Sequence, residues 1–248
     1  MRVIFSRKGF DSAAGGGPSP IVDGIPISLP IPSGGFSRTT YGDLGLGDLA
    51  GTASRGKLNA EDLCHHDPMF AGPTSSGDGT CLFGQCGAAQ THLANQGAGI
   101  GDVFLFFGLY REEASGEPHH RIFGFLEVAE IIDLTTCADM RRAELAALGH
   151  PHSLGMHARN DVIYRGKGQT AQSAPAALRL TVPGGPPSLW NRPEWLKRGG
   201  LSYHDRADRW LDRGKLRSVA RGQEFVADIG KRQAPREWLG RIIADIEA

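Results

Sequence analysis

The segment Gly99-Ile-Gly-Asp-Val-Phe-Leu-Phe-Phe-Gly-Leu-Tyr-Arg111 decides the fold class. It begins as a glycine turn and continues as an almost unbroken apolar run, the pattern of a strand buried on both faces. Ile122-Phe-Gly-Phe-Leu-Glu-Val-Ala-Glu-Ile-Ile132 is its expected antiparallel partner across a polar loop. Gly108 and Gly124 interrupt the two runs and point to bulges or corners rather than flat ladders. Strongly curved strands of this kind give an α+β chain with a curved, mainly antiparallel sheet or a small β-barrel, surrounded by helices.

Around this pair, a helix is expected from Cys86 to Gln96 with Gly97 past its end. Another is expected from Cys137 to Leu148, capped by Thr136 and closed by Gly149. Asn59 reads as the cap of a short helix at 60, and residues 33–61 otherwise as an extended excursion rich in Gly, Ser and Thr. Residues 71–79 read as a loose loop, and further strands are expected at 161–164 and 178–182. At the C-terminal end, Pro235 starts a helix that places Trp238, Leu239, Ile242, Ile243 and Ile246 on one face, so residues 229–248 pack back on the rest.

A second stretch, Phe5-Ser-Arg-Lys-Gly-Phe-Asp-Ser-Ala-Ala-Gly-Gly-Gly-Pro-Ser19, reads as a long loop after a short apolar strand. Arg7 and Lys8 supply cationic donors, Asp11 a carboxylate and Ser12 a hydroxyl, while successive glycines can approach an anion closely. The same composition also describes a solvated connector.

The blocks Ser6-Arg-Lys-Gly-Phe-Asp-Ser12, Pro18-Ser-Pro-Ile21 and Ile27-Ser-Leu-Pro-Ile-Pro32 resemble the opening of the nucleotide modification associated domain, type three, a bacterial and phage family. Cys64-His-His-Asp-Pro68, Gly87-Ala-Ala-Gln-Thr-His-Leu93, Ile122-Phe-Gly-Phe125 and Arg221-Gly-Gln-Glu-Phe225 resemble its later blocks in the same order, so the likeness spans residues 1–228. It implies association with systems that modify DNA bases, without naming a reaction or a cofactor. Residues 85–134 also resemble the core of PUA-like domains of the EVE and ASCH groups, which bind modified or flipped bases. That likeness implies a PUA-like β-barrel centred on residues 85–182.

Composition narrows the class. An apolar share of 40% over 248 residues is enough for an ordinary core, and no apolar run is long enough to span a membrane or serve as a signal peptide. A cytoplasmic chain with reduced Cys64, Cys81, Cys86 and Cys137 is expected. Residues 1–150 carry 10 Lys and Arg against 17 Asp and Glu, and residues 151–248 carry 17 against 10, so a nucleic-acid face would lie on the C-terminal part. There Arg192, Lys197, Arg198, Arg206, Arg209, Arg213, Lys215, Arg217 and Arg221 alternate with Trp190, Trp195, Tyr203 and Trp210. That mixture either grips phosphates and stacks bases, or forms amphipathic segments whose arginines pair with Asp205, Asp208 and Asp212.

The spacing of Cys64, His65, Asp67, Cys81 and Cys86 matches no common zinc pattern, so no metal is assigned. Instead His65, Asp67, Gln90 or His92, and His150 or His152 are expected to converge around the Arg7–Ser12 loop. In that arrangement Asp11, His65 and Asp67 act as acid/base groups, and Arg7, Lys8, Ser12, Gln90, His92, His150 and Glu224 bind substrate. Against it stands the simpler reading that Asp67 caps a turn, the histidines bond backbone carbonyls and Glu224 is a buried partner for an arginine. The functional expectation is modification of a base or nucleotide, with DNA or a nucleotide as partner. Two alternatives remain: a non-catalytic reader of modified or flipped bases, and an enzyme of free nucleotides.

Overall fold

In the computed structural model, residues 1–71, 79–112, 116–220 and 224–248 are described. The expected loop at 71–79 and Arg221, Gly222 and Gln223 of the final family-like block therefore lie largely or wholly outside the described residues. The chain is α+β, built on one large, mostly antiparallel, curved sheet.

Its centre is the pair read from the sequence. Strand β6 (Val103–Glu112) lies antiparallel to β7 (Pro118–Asp133), with Phe104 opposite Leu126 and Phe106 opposite Gly124. The register then shifts: Phe107 faces Ile122, which leaves Phe123 as the extra residue of a bulge. Glycine is needed at both interruptions. A Cβ on Gly124 would lie 2.9 Å from the Gln169 carbonyl oxygen, and one on Gly108 would lie 2.7 Å from that of Lys8.

Strand β1 (Arg2–Arg7) runs parallel to β6 on its other side, Val3 opposite Val103 and Arg7 opposite Phe107. With a period of two, Val3, Phe5, Val103, Leu105 and Phe107 enter one apolar core, while Ile4, Phe104 and Phe106 enter another on the opposite face. Both faces of the central sheet are thus covered, which explains the continuous apolar runs. Short strands β2 (Ser19–Val22) and β3 (Ile25–Pro26) follow, β2 extending along the end of β6. The expected excursion contains helix α1 (Gly47–Ser54).

Strand β4 (Met69–Ala71) leads to β5 (Thr80–Gln85), helix α2 (Gly87–Asn95) follows, and after β7 come helices α3 (Asp139–Ala147) and α4 (Pro151–Leu154). Strand β8 (Val162–Thr170) inserts between β7 and β5, pairing Gln85 with Val162. Beyond it, β9 (Leu189–Asn191), β10 (Trp210–Leu211) and β11 (Lys215–Arg217) make a separate small sheet. Finally β12 (Glu224–Asp228) pairs antiparallel with β1, and helix α5 (Gln233–Glu247) sets Leu239, Ile242 and Ile246 into the core shared with Val3 and Phe5.

Several expectations need correction. Among the described residues the sheet is open, its path running from β12 to β4, so neither a barrel nor its PUA-like form is realised. The free edge of β12 is covered instead by Ser202, whose amide donates to the Val226 carbonyl (2.9 Å) and whose Oγ accepts from the Val226 amide (2.8 Å). Asn59 builds a turn rather than a helix, its Oδ1 accepting from Glu61 N (2.8 Å). Thr136 does not cap α3, which begins at Asp139. Residues 178–182 form isolated bridges, Arg121 to Arg179 and Thr181 to Trp190, rather than a strand. No helix among the described residues is long and apolar enough to cross a membrane.

Candidate functional site

A cavity of about 360 Å³ opens where β1 ends, beside the start of β12 at Glu224 and near the end of β5 at Gln85. Arg7, Lys8, Asp11, His65 and Asp67 line it, together with Gln85, Cys86, His152 and His157. Six of the residues expected at the site, His152 among them, are therefore brought together.

Asp67 forms the floor. Its side chain is 3% exposed, and Oδ1 accepts from the Gly84 amide (2.8 Å) with His150 Nε2 3.4 Å away. Its other oxygen, Oδ2, lies 3.9 Å from His65 Nε2 and 4.0 Å from His152 Nε2. Burial alone would raise the carboxyl pKa, but His150, followed by His152 and His65, holds it well below the usual carboxylate range. Burial pushes the His65 imidazole down to about 4, against the opposing pull of Asp67.

The loop carrying His65 and Asp67 is pinned by its backbone, His65 N donating to Ile31 O (2.8 Å) and Cys64 N to Thr39 O (2.9 Å). His152 is fixed from behind: its Nδ1 bonds Asp161 Oδ1 at 2.5 Å, and since a carboxylate only accepts, Nδ1 carries the proton. Asp161 is fully buried, and its Oδ2 accepts from the His157 amide (2.9 Å). The His157 ring stacks on that of His152 at 4.3 Å. Pairing of β5 with β8 delivers this 152–161 segment to the cavity.

Behind the opposite wall, and not on the cavity surface itself, lies Glu224, 1% exposed. Its Oε1 accepts from Ser6 Oγ (3.1 Å), Lys8 Nζ (3.2 Å) and Gln85 Nε2 (2.7 Å), and its Oε2 is buried without a partner among the described residues. Lys8 Nζ also sits 4.2 Å over the Phe83 ring. Arg7 donates from Nη1 to Ala220 O (2.8 Å) and from Nη2 to Val219 O (2.9 Å), tying the segment before β12 to β1, while its Nε is buried without a partner among the described residues. Asp11 Oδ1 accepts from the amides of Ala13 and Ala14 (2.7 and 2.8 Å), closing a turn with its carboxylate still on the cavity.

Other expected residues lie elsewhere. Ser12 lines a separate hollow with Pro32 and Lys57. Gln90 is buried and accepts from Tyr164 OH (2.9 Å). His92 stacks on Tyr203 at 4.3 Å and bonds Ser202 Oγ (2.9 Å), lining with Gln96 a hollow separate from the main cavity. His150 is wholly buried behind Asp67 rather than on the cavity surface. In the basic C-terminal part, Trp190 is buried, and Trp195 and Trp210 pack on the core. Arg206 pairs with Asp208 (2.8 Å), though on a turn and not at helical spacing.

Sequence reasoning left out His157 and Asp161, and considered Cys86 only in a metal set that it did not assign. The only signal for the omitted pair was the spacing of four between His157 and Asp161, shortly after the His150-Pro-His152 elbow. Ligand-type atoms of His65, Asp67 and His152 lie within 4.8 Å of one another, as do those of Cys86, His152 and Asp161. Burial raises the Cys86 thiol pKa, with Asp161 and Asp67 adding to it, and the Cys86 amide already donates to Gln85 Oε1 (3.0 Å). Neither a ready thiolate nor a free amide for an oxyanion is present there.

A family model described as nucleotide modification associated domain 3 matches residues 2–228. No curated protein and no solved structure matches the chain.

Proposed function

The chain belongs to the nucleotide modification associated domain 3 family, and from that membership and the chemistry of the cavity we propose that it is an enzyme modifying a base or nucleotide, with DNA as the substrate polymer. One observation carries the choice between enzyme and reader. The cavity is lined by a carboxylate and imidazoles, and among the described residues no Phe, Tyr or Trp side chain lines it. A reader of flipped bases needs aromatic faces for stacking, whereas proton transfer needs groups of the kind clustered at Asp67.

In this reading the substrate's reacting group enters above Asp67 Oδ2. His65 and His152 are the imidazoles placed to take or give a proton there, and Asp161 holds His152 in one tautomer. Asp11 and Lys8, the latter held from behind by Glu224, form the polar rim that orients the substrate. Arg7 acts by holding the rim segment in place rather than by gripping phosphate.

The test is mass spectrometry of nucleosides from DNA of cells expressing the protein with its genomic neighbours. A modified nucleoside present with the wild type and absent with folded Asp67→Asn and His65→Gln variants is the expected result. An unchanged nucleoside profile combined with lost binding to modified DNA would make the cavity a reader's and overturn the enzyme assignment.

A further inference from the structure

We infer that His65, Asp67 and His152 form a binding site for one divalent first-row transition ion, open toward the cavity. The inference stands on donor geometry; with an ion bound, His65, Asp67 and His152 would hold it, and the acid/base role given to the two histidines above would pass to the ion's open positions and Asp11.

Two of the three separations among the facing atoms are 3.9 and 4.0 Å, and all three lie within 4.8 Å. Points so spaced share a centre no more than about 2.5 Å from each, so contraction by a few tenths of an ångström reaches the ~2.0–2.2 Å bonds that zinc makes to imidazole nitrogen and carboxylate oxygen. Three protein ligands with the remaining positions facing a cavity is the arrangement of a reactive rather than a structural ion.

The atoms behind the donors support the same reading. His152 donates its Nδ1–H to buried Asp161 at 2.5 Å, so Nε2 is the ring nitrogen left to face Asp67 Oδ2, 4.0 Å away. A carboxylate behind the imidazole is how ligating histidines are commonly oriented and made more basic. Asp67 divides its oxygens likewise: Oδ1 takes the Gly84 amide and faces His150, while Oδ2 faces His65 and His152. The alternative group of Cys86, His152 and Asp161 is less suited, because both Asp161 oxygens already accept hydrogen bonds, from His152 and from the His157 amide. The ligands come from two segments 85 residues apart, so linear zinc spacings could not reveal them.

The experiment titrates chelator-treated full-length protein with Co²⁺, following d–d absorption, and measures Zn²⁺ stoichiometry by mass spectrometry after dialysis. One ion per chain is expected. His65→Ala, Asp67→Asn and His152→Ala should each weaken binding by about 100-fold or more, and Asp161→Asn, acting through His152, by about 10–100-fold. Cys86→Ser should leave the affinity unchanged, with circular dichroism reporting the fold of each variant. Failure of the wild-type chain to take up Co²⁺ or Zn²⁺ at micromolar concentration overturns the inference whatever the variants do. So does binding that survives His65→Ala but is lost in Cys86→Ser. Because these readouts need no substrate, an inactive nucleoside assay and an absent metal site remain separate results.

Discussion

Gly84 gives up its side-chain space to the His152 ring: a Cβ at residue 84 would lie 2.3 Å from His152 Cδ2 and 2.8 Å from Nε2. The glycine sits next to the last residue of buried strand β5, beside Asp67, so the absence of one methyl group lets the imidazole lie over the floor of the cavity.

Gly84→Ala should therefore keep the fold while displacing His152. Overpacking costs typically about 1–3 kcal/mol, so the thermal midpoint falls by several degrees, yet nucleoside modification should fall by far more than the stability loss explains. Thermal melts set beside nucleoside mass spectrometry check this, and full activity in the variant would refute the placement of His152.

Glu224→Ala leaves the Lys8 ammonium, 11% exposed, without its carboxylate. Removing one partner of a buried pair typically costs about 3–5 kcal/mol, and the lower end applies to a partly solvated lysine. The double variant Lys8→Met/Glu224→Ala should recover part of that loss in a urea titration. An additive or greater loss would mean that Ser6 and Gln85, not Lys8, are what Glu224 serves.

Arg7 and Asp11 separate under mutation. Arg7→Ala deletes two hydrogen bonds to carbonyls and should cost about 1–3 kcal/mol. Asp11→Asn keeps an oxygen to accept from Ala13 and Ala14 and should change stability by less than about 0.5 kcal/mol. If the carboxylate takes part in the reaction, modification by Asp11→Asn nevertheless drops; unchanged activity would reduce Asp11 to a turn former.

Acid should destabilise the fold through His120. Burial, followed by the charges of Arg7 and His119, lowers its pKa to about 3, and its Nδ1 accepts from Trp190 Nε1 (3.0 Å), which requires an unprotonated nitrogen. The folded value lies below the unfolded value of about 6.5, so this contribution is complete above pH 6.5 and is lost as pH falls toward 3. One such group changes stability by at most about 1.4 kcal/mol per pH unit. Denaturant titrations between pH 7 and pH 4 should show a shallower slope in His120→Gln than in wild type; equal slopes would assign the acid sensitivity elsewhere.

The central strands were legible because burial on both faces leaves a continuous apolar run, and Gly108 and Gly124 mark the places where another backbone comes close. Helix α1 was not, since Gly47, Gly51 and Thr52 give it little apolar periodicity. Of the site, Asp67 and His65 could be named because imidazole and carboxylate within three residues suggest proton chemistry. His157 and Asp161 could not, because only the pairing of β5 with β8 makes them neighbours of Asp67. Ser12 fell away from the cavity because Asp11, next to it, turns the chain through its own Oδ1.

The contact between Ser6 and Glu224 spans 218 positions. On a ribosome adding about 5–20 residues per second, β1 emerges roughly 10–45 s before β12 exists to pair with it. A message truncated ahead of codon 224 yields a polypeptide with an unpaired β1 edge and no Glu224 opposite Lys8. The side of the cavity that Lys8 borders thus takes its shape only once a strand made more than two hundred positions later has come back to β1.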